Sequence, residues 1–397
     1  MITVEEIKAT VEKNRDEAVG FFQACLQTPS VTGDEAAMGK VMADFLDRQG
    51  FKPRVYEKEQ GRPNVVAEWI GSKPGKRFVW NGHMDVFPPV AGDPGLYGPW
   101  SGKIVDGYIY GRGAVDMKGG VCAAVMATTL LKRMGFDPAG SVLMTWVSDE
   151  ENTGNAGTKY LVQEGLIQGD FGLDPEPTDG RVLTRHCGGL NVTVTYRSET
   201  GHTSLPHPSV DALEKTVNAA QALIELGHRV SRIDPETGIW SKLSVTMMGS
   251  GNTVNMYPSE GHVVIDRRLV PGEKLEDAHK EIKQVLDDLK AAHSEADYSY
   301  EYEVMGEYPP LLVDDDEPIV RMLLDAYREV TGGETDTFSR PGASDASDIV
   351  EGAGVPMPNF AIADAYGECT FPNEKQPIAD YLTNIEIYMT LLVKALS

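Results

Sequence analysis

The sequence predicts an α/β protein in which one domain interrupts another, and three observations carry that expectation. Four short apolar, strand-like runs each end in a histidine or acidic cluster. A central stretch of different texture alternates strand and helix patterns in its own order. The chain has 397 residues, which suits two domains, each large enough for its own core.

Taken in order, Met1-Ile2-Thr3-Val4-Glu5-Glu6 begins a charged amphipathic helix rather than a signal peptide. Arg77-Phe78-Val79-Trp80 reads as a buried strand that ends where Gly82 lets the chain turn. His83 and Asp85 follow two apart, on one face of extended backbone. An imidazole beside a carboxylate suits zinc, manganese or cobalt and argues against a calcium cage. The other reading of that pair is a surface turn with a solvated Asp and a hydrogen-bonded His.

Next, Tyr110 to Asp116 leads through Met117-Lys118-Gly119-Gly120 into an apolar helix from about Val121 to Lys132, so Asp116 sits at a helix entrance. Asp is a favoured cap residue, but the surrounding glycines imply backbone packed closely against something. Ser141 to Val147 is another buried strand, stopping at Ser148-Asp149-Glu150-Glu151. Solvated loop acids are the usual explanation for such a run, since three acids in a row repel unless something positive holds them. Here the run leaves the end of an apolar strand, where open α/β sheets bind ligands. Last, Asp170 to Asp174 runs into Pro175-Glu176-Pro177, whose prolines hold the Glu176 carboxylate in a rigid turn. Four such clusters, each after a strand, are poorly explained as four independent solvated loops.

The central stretch reads as a strand over Leu190 to Tyr196, a helix over Val210 to Leu226, strands over Leu243 to Met247 and Val263 to Leu269, a helix over Leu275 to Leu289 and a strand over Tyr298 to Val304. That is the βαββαβ order of a ferredoxin-like unit. The α/β domain resumes near Pro309 and ends with a helix from about Asp380 to Leu396.

Along nearly the whole chain, in order, stand GHMDVFP, GRGAVDMKGG, SDEEN, PEPT, GHTSLP, NTVNMYP, IDRR, GASDAS and FPNE. This series resembles the metallopeptidase and aminoacylase family that includes acetylornithine deacetylase, succinyl-diaminopimelate desuccinylase, bacterial glutamate carboxypeptidase and aminoacylase-1. The resemblance implies a metallopeptidase-like catalytic domain with a mixed central sheet, over residues 1–186 and 306–397. An inserted ferredoxin-like lid and dimerisation domain would occupy 187–305.

The resemblance also implies roles. His83 resembles the histidine of one metal site, Asp116 the carboxylate bridging two metals, and Glu176 the acidic ligand completing the first site. Asp85 resembles the partner that orients His83, Glu150 the general base and Glu151 a ligand of the second metal. A carboxylate base suits this chemistry, because metal-activated water must give up a proton. His202, in Gly201-His202-Thr203-Ser204-Leu205-Pro206, resembles a histidine that reaches an active site, often the partner subunit's, to stabilise the oxyanion. The alternative is a histidine capping the helix that follows. Asn255 and Arg268 match positions that bind the substrate carbonyl and carboxylate, and Arg268 reads equally well as an edge-strand cation. Some relatives place an arginine two residues after the Asp of the GASDAS segment, where this chain has Ser347, which argues against desuccinylase-like specificity.

One position departs from the family pattern. The last metal ligand is a histidine three residues before an Asn-Glu or Asp-Glu pair, and here Thr370 stands there, ahead of Asn373-Glu374. Cys369 would serve by a one-residue shift, although a free cysteine more often packs as a small apolar residue. Three outcomes follow: a second metal held by fewer protein ligands, a one-metal enzyme built on His83, Asp116 and Glu176 or Glu151, or a non-catalytic binding or scaffold relative. The leading expectation is a metal-dependent amidohydrolase with one or two divalent ions, cleaving an amide C–N bond in a small N-acyl amino acid or dipeptide-like substrate bearing a carboxylate. A mononuclear aminohydrolase that releases ammonia from an amino-substituted aromatic acid is the alternative.

Composition agrees. A net charge of −24 would repel a phosphate backbone, so nucleic acid is not an expected partner. No apolar run reaches the roughly 18 residues of a membrane span. Cys25, Cys122, Cys187 and Cys369 lack metal-finger spacing and read as reduced thiols of a cytoplasmic protein. A homodimer or higher homo-oligomer is a family expectation.

Overall fold

The structure, a computed structural model, describes residues 2–89, 95–206, 210–294, 296–364 and 372–397. The chain forms two compact units: Met1–Thr184 with Val313–Phe338 and Ser344–Ser397, and Arg185–Leu312 with Ser339–Ala343.

The first unit is built on a five-stranded sheet in the order Arg54–Glu57, Pro63–Ile70, Ala139–Val147, Lys73–His83, Phe171–Leu173. The first two pairings are antiparallel and the last two parallel, so the sheet is mixed. Its parallel strands carry long buried runs: every residue from Phe78 to His83 and from Ser141 to Val147 is buried, the signature of strands covered on both faces. Helices Lys118–Arg133 and Ile378–Leu396 pack together against this core. Trp80 anchors them, its ring 5.1 Å from that of Tyr388 and its Nε1 donating to Thr128 Oγ1 at 3.1 Å. The amino-terminal helix Val4–Lys13 opens with the capping box of Thr3 and Glu6 and buries Ile7 and Val11.

Strand register sets up the site. His83 lies opposite Val147 and Trp80 opposite Leu173 in parallel pairs. The segments after these three strands, carrying Asp85, Glu150 and Glu176, therefore leave the sheet at one edge. The glycines before the apolar helix have a steric reason. A Cβ on Gly120 would lie 1.9 Å from the Pro175 carbonyl oxygen, so its absence lets the helix start seat directly on the Glu176 turn.

The second unit is an antiparallel sheet in the order Arg232–Ile233, Trp240–Ser250, Glu260–Leu269, Gly188–Arg197, Tyr300–Tyr308. Leu190, Val192, Val194 and Tyr196 alternate inward and meet Ala219 and Leu223 of helix Ala212–Val230 and Ile282 and Leu286 of helix Leu275–Ala292. Apart from the short strand Arg232–Ile233, its longer elements follow one another as strand, helix, strand, strand, helix, strand. Strand Trp240–Ser250 outruns the expected Leu243 to Met247 because Thr246, Met247 and Met248 are exposed. Hydrophobic alternation marks only the half-buried part of a strand.

Candidate metal centre

His83 closes its strand with its side chain buried. Its Nδ1 lies 2.9 Å from the Asp85 backbone carbonyl, so Nδ1 donates there. Nε2 is left facing Asp116 Oδ1 at 3.2 Å, Glu176 Oε1 at 3.4 Å and Glu150 Oε2 at 3.8 Å. Without a metal the imidazole is pushed well above its ordinary pKa. Burial opposes its charge, and hydrogen bonding to Asp116 and Glu176 outweighs that opposition.

Among the described residues two donor groups result, one of His83, Glu150 and Glu176 and one of His83, Asp116 and Glu151, the ligand atoms within each lying within 4.8 Å of one another. Two carboxylates at such a separation repel by roughly 3–4 kcal/mol at an effective dielectric of about 20. The protein answers by holding protons: burial, then neighbouring carboxylates, pushes Glu151 up to about 10. Glu150 is raised in the same direction, first by burial, against the opposing pull of His83. Glu151 Oε1 is buried with no hydrogen-bond partner among the described residues. One imidazole, several carboxylates and an unbonded oxygen fit a divalent cation.

Asp85 meets His83 through its main chain. The residue's backbone carbonyl takes the His83 Nδ1 proton, while its carboxylate stands 3.6 Å from that nitrogen. Its oxygens instead accept the backbone N–H groups of Glu150 and Glu151, at 3.2 and 3.3 Å, and the Thr32 hydroxyl at 2.8 Å. The Asp116 side chain does not cap the following helix. Met117 holds the cap position, without a side-chain bond.

The acidic run is held by a cation that sequence reading missed. Arg62 Nη1 contacts Asp149 Oδ1 at 2.8 Å and its Nη2 contacts buried Glu35 at 2.6 Å. Asp149 takes a left-handed φ of +74°, and its carbonyl accepts from Thr153 and Gly154, which turns Glu150 and Glu151 toward His83. Local spacing does not mark this role, because the two buried partners lie 27 and 87 positions away. Two more buried acids were missed although both stand in the motif series. Asp345 accepts the Thr158 hydroxyl at 2.6 Å and burial pushes it up to about 6. Glu374 is buried against the loop before Asp116, which pushes it up to about 7.

In the second unit His202 is exposed on the short strand Gly201–His202. Ser204 N donates to its Nδ1 at 3.1 Å, and the Asn255 amide nitrogen Nδ2 lies 3.1 Å from its Nε2. The cap of the following helix is Asp211, not His202. Arg268 sits on strand Glu260–Leu269, which is paired on both sides and is therefore no edge. It bonds Asp266 at 3.0 Å and the Tyr308 hydroxyl at 3.3 Å. It also lines a cavity of about 650 Å³ with Lys242, Trp240, Thr237 and Cys187. Cys369 and Thr370 lie outside the described residues.

A mixed α/β sheet that gathers an imidazole and carboxylates at the carboxyl edge of its parallel strands is the plan of a metal-dependent hydrolase. The chain belongs to peptidase family M20/M25/M40, whose match spans residues 79–394. It is 30% identical over 352 residues to the succinyl-diaminopimelate desuccinylase of Methylorubrum populi, covering 85% of this chain and 88% of that protein. It is 30% identical over 394 residues to that of Rhodospirillum centenum, covering 95% and 96%. Among solved structures, an M20 family metallo-carboxypeptidase from Sulfolobus solfataricus superposes with a TM-score of 0.77 at 19% identity, over 95% of this chain and 98% of that one. Human carnosine dipeptidase 1 superposes with a TM-score of 0.69 at 18% identity, over 99% of both. The chain is thus a metal-dependent enzyme of the amidohydrolase and metallopeptidase class. No described helix is long and apolar enough to cross a membrane.

Proposed function

We propose that this enzyme hydrolyses an amide C–N bond in a small N-acyl amino acid or dipeptide-like substrate bearing a carboxylate, with Glu150 as general base. The reading is carried by the convergence of His83, Asp116, Glu150, Glu151 and Glu176 in two donor groups. His83, Asp116 and Glu176 would hold a zinc, manganese or cobalt ion, with Glu151 facing a second position. Such an ion, when bound, polarises a carbonyl and makes water more acidic. Glu150 takes the proton of the attacking water and returns it to the leaving amine nitrogen. A carboxylate suits that double duty, since it can both accept and return a proton. His202 steadies the oxyanion, in its own or a partner subunit, Asn255 binds the carbonyl and Arg268 the carboxylate.

A second reading has its own support. Both donor groups rest on the same His83, and Thr370 replaces the family's last histidine, which favours one firmly held ion. A mononuclear aminohydrolase acting on an amino-substituted aromatic acid would fit. Glu150→Gln decides the mechanism: turnover is expected to vanish while metal per chain, by elemental analysis, stays at the wild-type value. Near-normal activity would overturn Glu150 as base. The substrate panel begins with N-succinyl and N-acetyl amino acids, since the relatives are named desuccinylases and Ser347 speaks against that specificity. Ammonia release without acyl cleavage would select the aminohydrolase.

We also assign a homodimer to the second unit. Leu213, Val217 and Ile224 on helix Ala212–Val230 and Met247 and Met248 on strand Trp240–Ser250 are exposed apolar residues that a second copy would cover. Three buried, unpaired cysteines, Cys25, Cys122 and Cys187, suit a cytoplasmic setting.

A further inference from the structure

We propose that Glu374 is a positioning residue that fixes the Asp116 carboxylate for metal binding, an inference that rests on Asp116 being a ligand. The Glu374 side chain is 3% exposed and accepts four hydrogen bonds, all from the loop that carries Asp116. Oε1 accepts from Val115 N at 2.8 Å and Asp116 N at 3.1 Å. Oε2 accepts from Gly113 N at 2.9 Å and Arg112 Nη1 at 3.0 Å. One carboxylate thus collects three backbone donors and a guanidinium from five consecutive residues, a cradle that no neutral acceptor of the same size reproduces.

The main chain is tied as well. The Glu374 carbonyl accepts Gly111 N at 3.0 Å, and the adjoining strand Lys375–Pro377 pairs with Tyr108–Tyr110. One position in the loop admits only glycine. Gly113 has φ +86°, and a Cβ there would meet Val86 Cγ1 at 2.8 Å. With its backbone held this way, Asp116 presents Oδ1 to His83 Nε2 at 3.2 Å without any bond of its own to Glu374's side chain beyond the N–H. Glu374 therefore acts on the donor group through geometry. Groups that orient metal ligands typically change affinity by about 10- to 100-fold when altered.

The test is Zn²⁺ affinity, by competition with a chelating dye, for wild type, Asp116→Asn and Glu374→Gln, together with the melting temperature of each in EDTA. Gln keeps size and one acceptor but points an amide NH₂ at the Gly113 and Arg112 donors. The expected result is a fall of about 10- to 100-fold in Zn²⁺ affinity for Glu374→Gln, with a metal-free melting temperature near that of wild type. If the melting temperature falls while the affinity of the folded protein is unchanged, the role is structural and the proposal is overturned. Should Glu374→Gln not fold, Glu374→Asp, which keeps the charge with a shorter reach, is measured in its place. Failure of both to fold also overturns the proposal. Wild type that binds no Zn²⁺, or Asp116→Asn that binds as wild type does, would instead remove the reading of Asp116 on which it rests.

Discussion

In the first unit, buried or largely buried donor side chains face one another across a few ångströms and compete for the nitrogen of a single imidazole. In the second unit, the residues assigned to substrate are exposed or half-buried, and each has a local partner: His202 with Ser204 and Asn255, Arg268 with Asp266 and Tyr308. The first arrangement is unfavourable until a cation enters, whereas the second crowds no like charges together. A fold tolerates the former only when surrounding structure fixes it, and here Asp85, Arg62 and Glu374 supply the fixing. Metal binding and substrate handling should therefore separate experimentally between the two units.

His202→Ala tests that separation with the largest effect. Removing one donor to an oxyanion typically lowers kcat by about 10²–10³-fold. Metal per chain should stay unchanged, because His202 belongs to the unit without the donor groups. A variant that loses metal along with turnover would break the comparison, since it would put His202 in the metal-binding apparatus.

Arg62→Met probes the support of the first unit. It leaves Glu35, wholly buried, and Asp149, 2% exposed, without their cation. Breaking a buried ion pair by removing one partner costs about 3–5 kcal/mol. Chemical denaturation should show a loss of that order, with weaker metal binding as the Glu150 turn loosens. Wild-type stability would mean that Asp149's left-handed turn holds without the guanidinium, and that Arg62 adds nothing to the site.

These residues also show what a sequence discloses. His83, Glu150, Glu151 and Glu176 were legible because each ends or follows a buried strand whose parallel register brings strand ends together, whereas Asp116 stands at a helix entrance after the short strand Tyr108–Tyr110 of another sheet. The βαββαβ order of the second unit was legible from alternation and amphipathic period. Arg62 was not, because an ion pair spanning 87 positions leaves no periodic trace. Glu374 stood in a motif and served only as a ruler for Thr370, since hydrogen bonds from backbone N–H groups carry no residue identity. Asp85 was expected to orient His83, and which of its atoms takes the His83 proton is set by local backbone geometry that spacing does not disclose.

A dependence on pH should also appear, in the first unit alone. Burial, and then the charge of Asp116, lifts the Glu151 carboxyl from its ordinary value of 4.5 to about 10 in the metal-free fold. Glu150 and His83 shift upward too. A group whose pKa is raised by folding stabilises the fold fully below its unfolded value, and that contribution is lost as pH rises toward its folded value. Metal-free protein should therefore melt at progressively lower temperature from about pH 5 to about pH 9. A divalent ion takes over the neutralising role of those protons, so its stabilising effect should grow over the same range. Of the five tryptophans, Trp69, Trp80, Trp100 and Trp146 lie in the first unit and Trp240 in the second. Fluorescence melting of Trp240→Phe in EDTA thus reports the first unit. A metal-free midpoint that stays level or climbs with pH would mean that the carboxylates do not share one buried site in solution, and the contrast between the two units would fall with it.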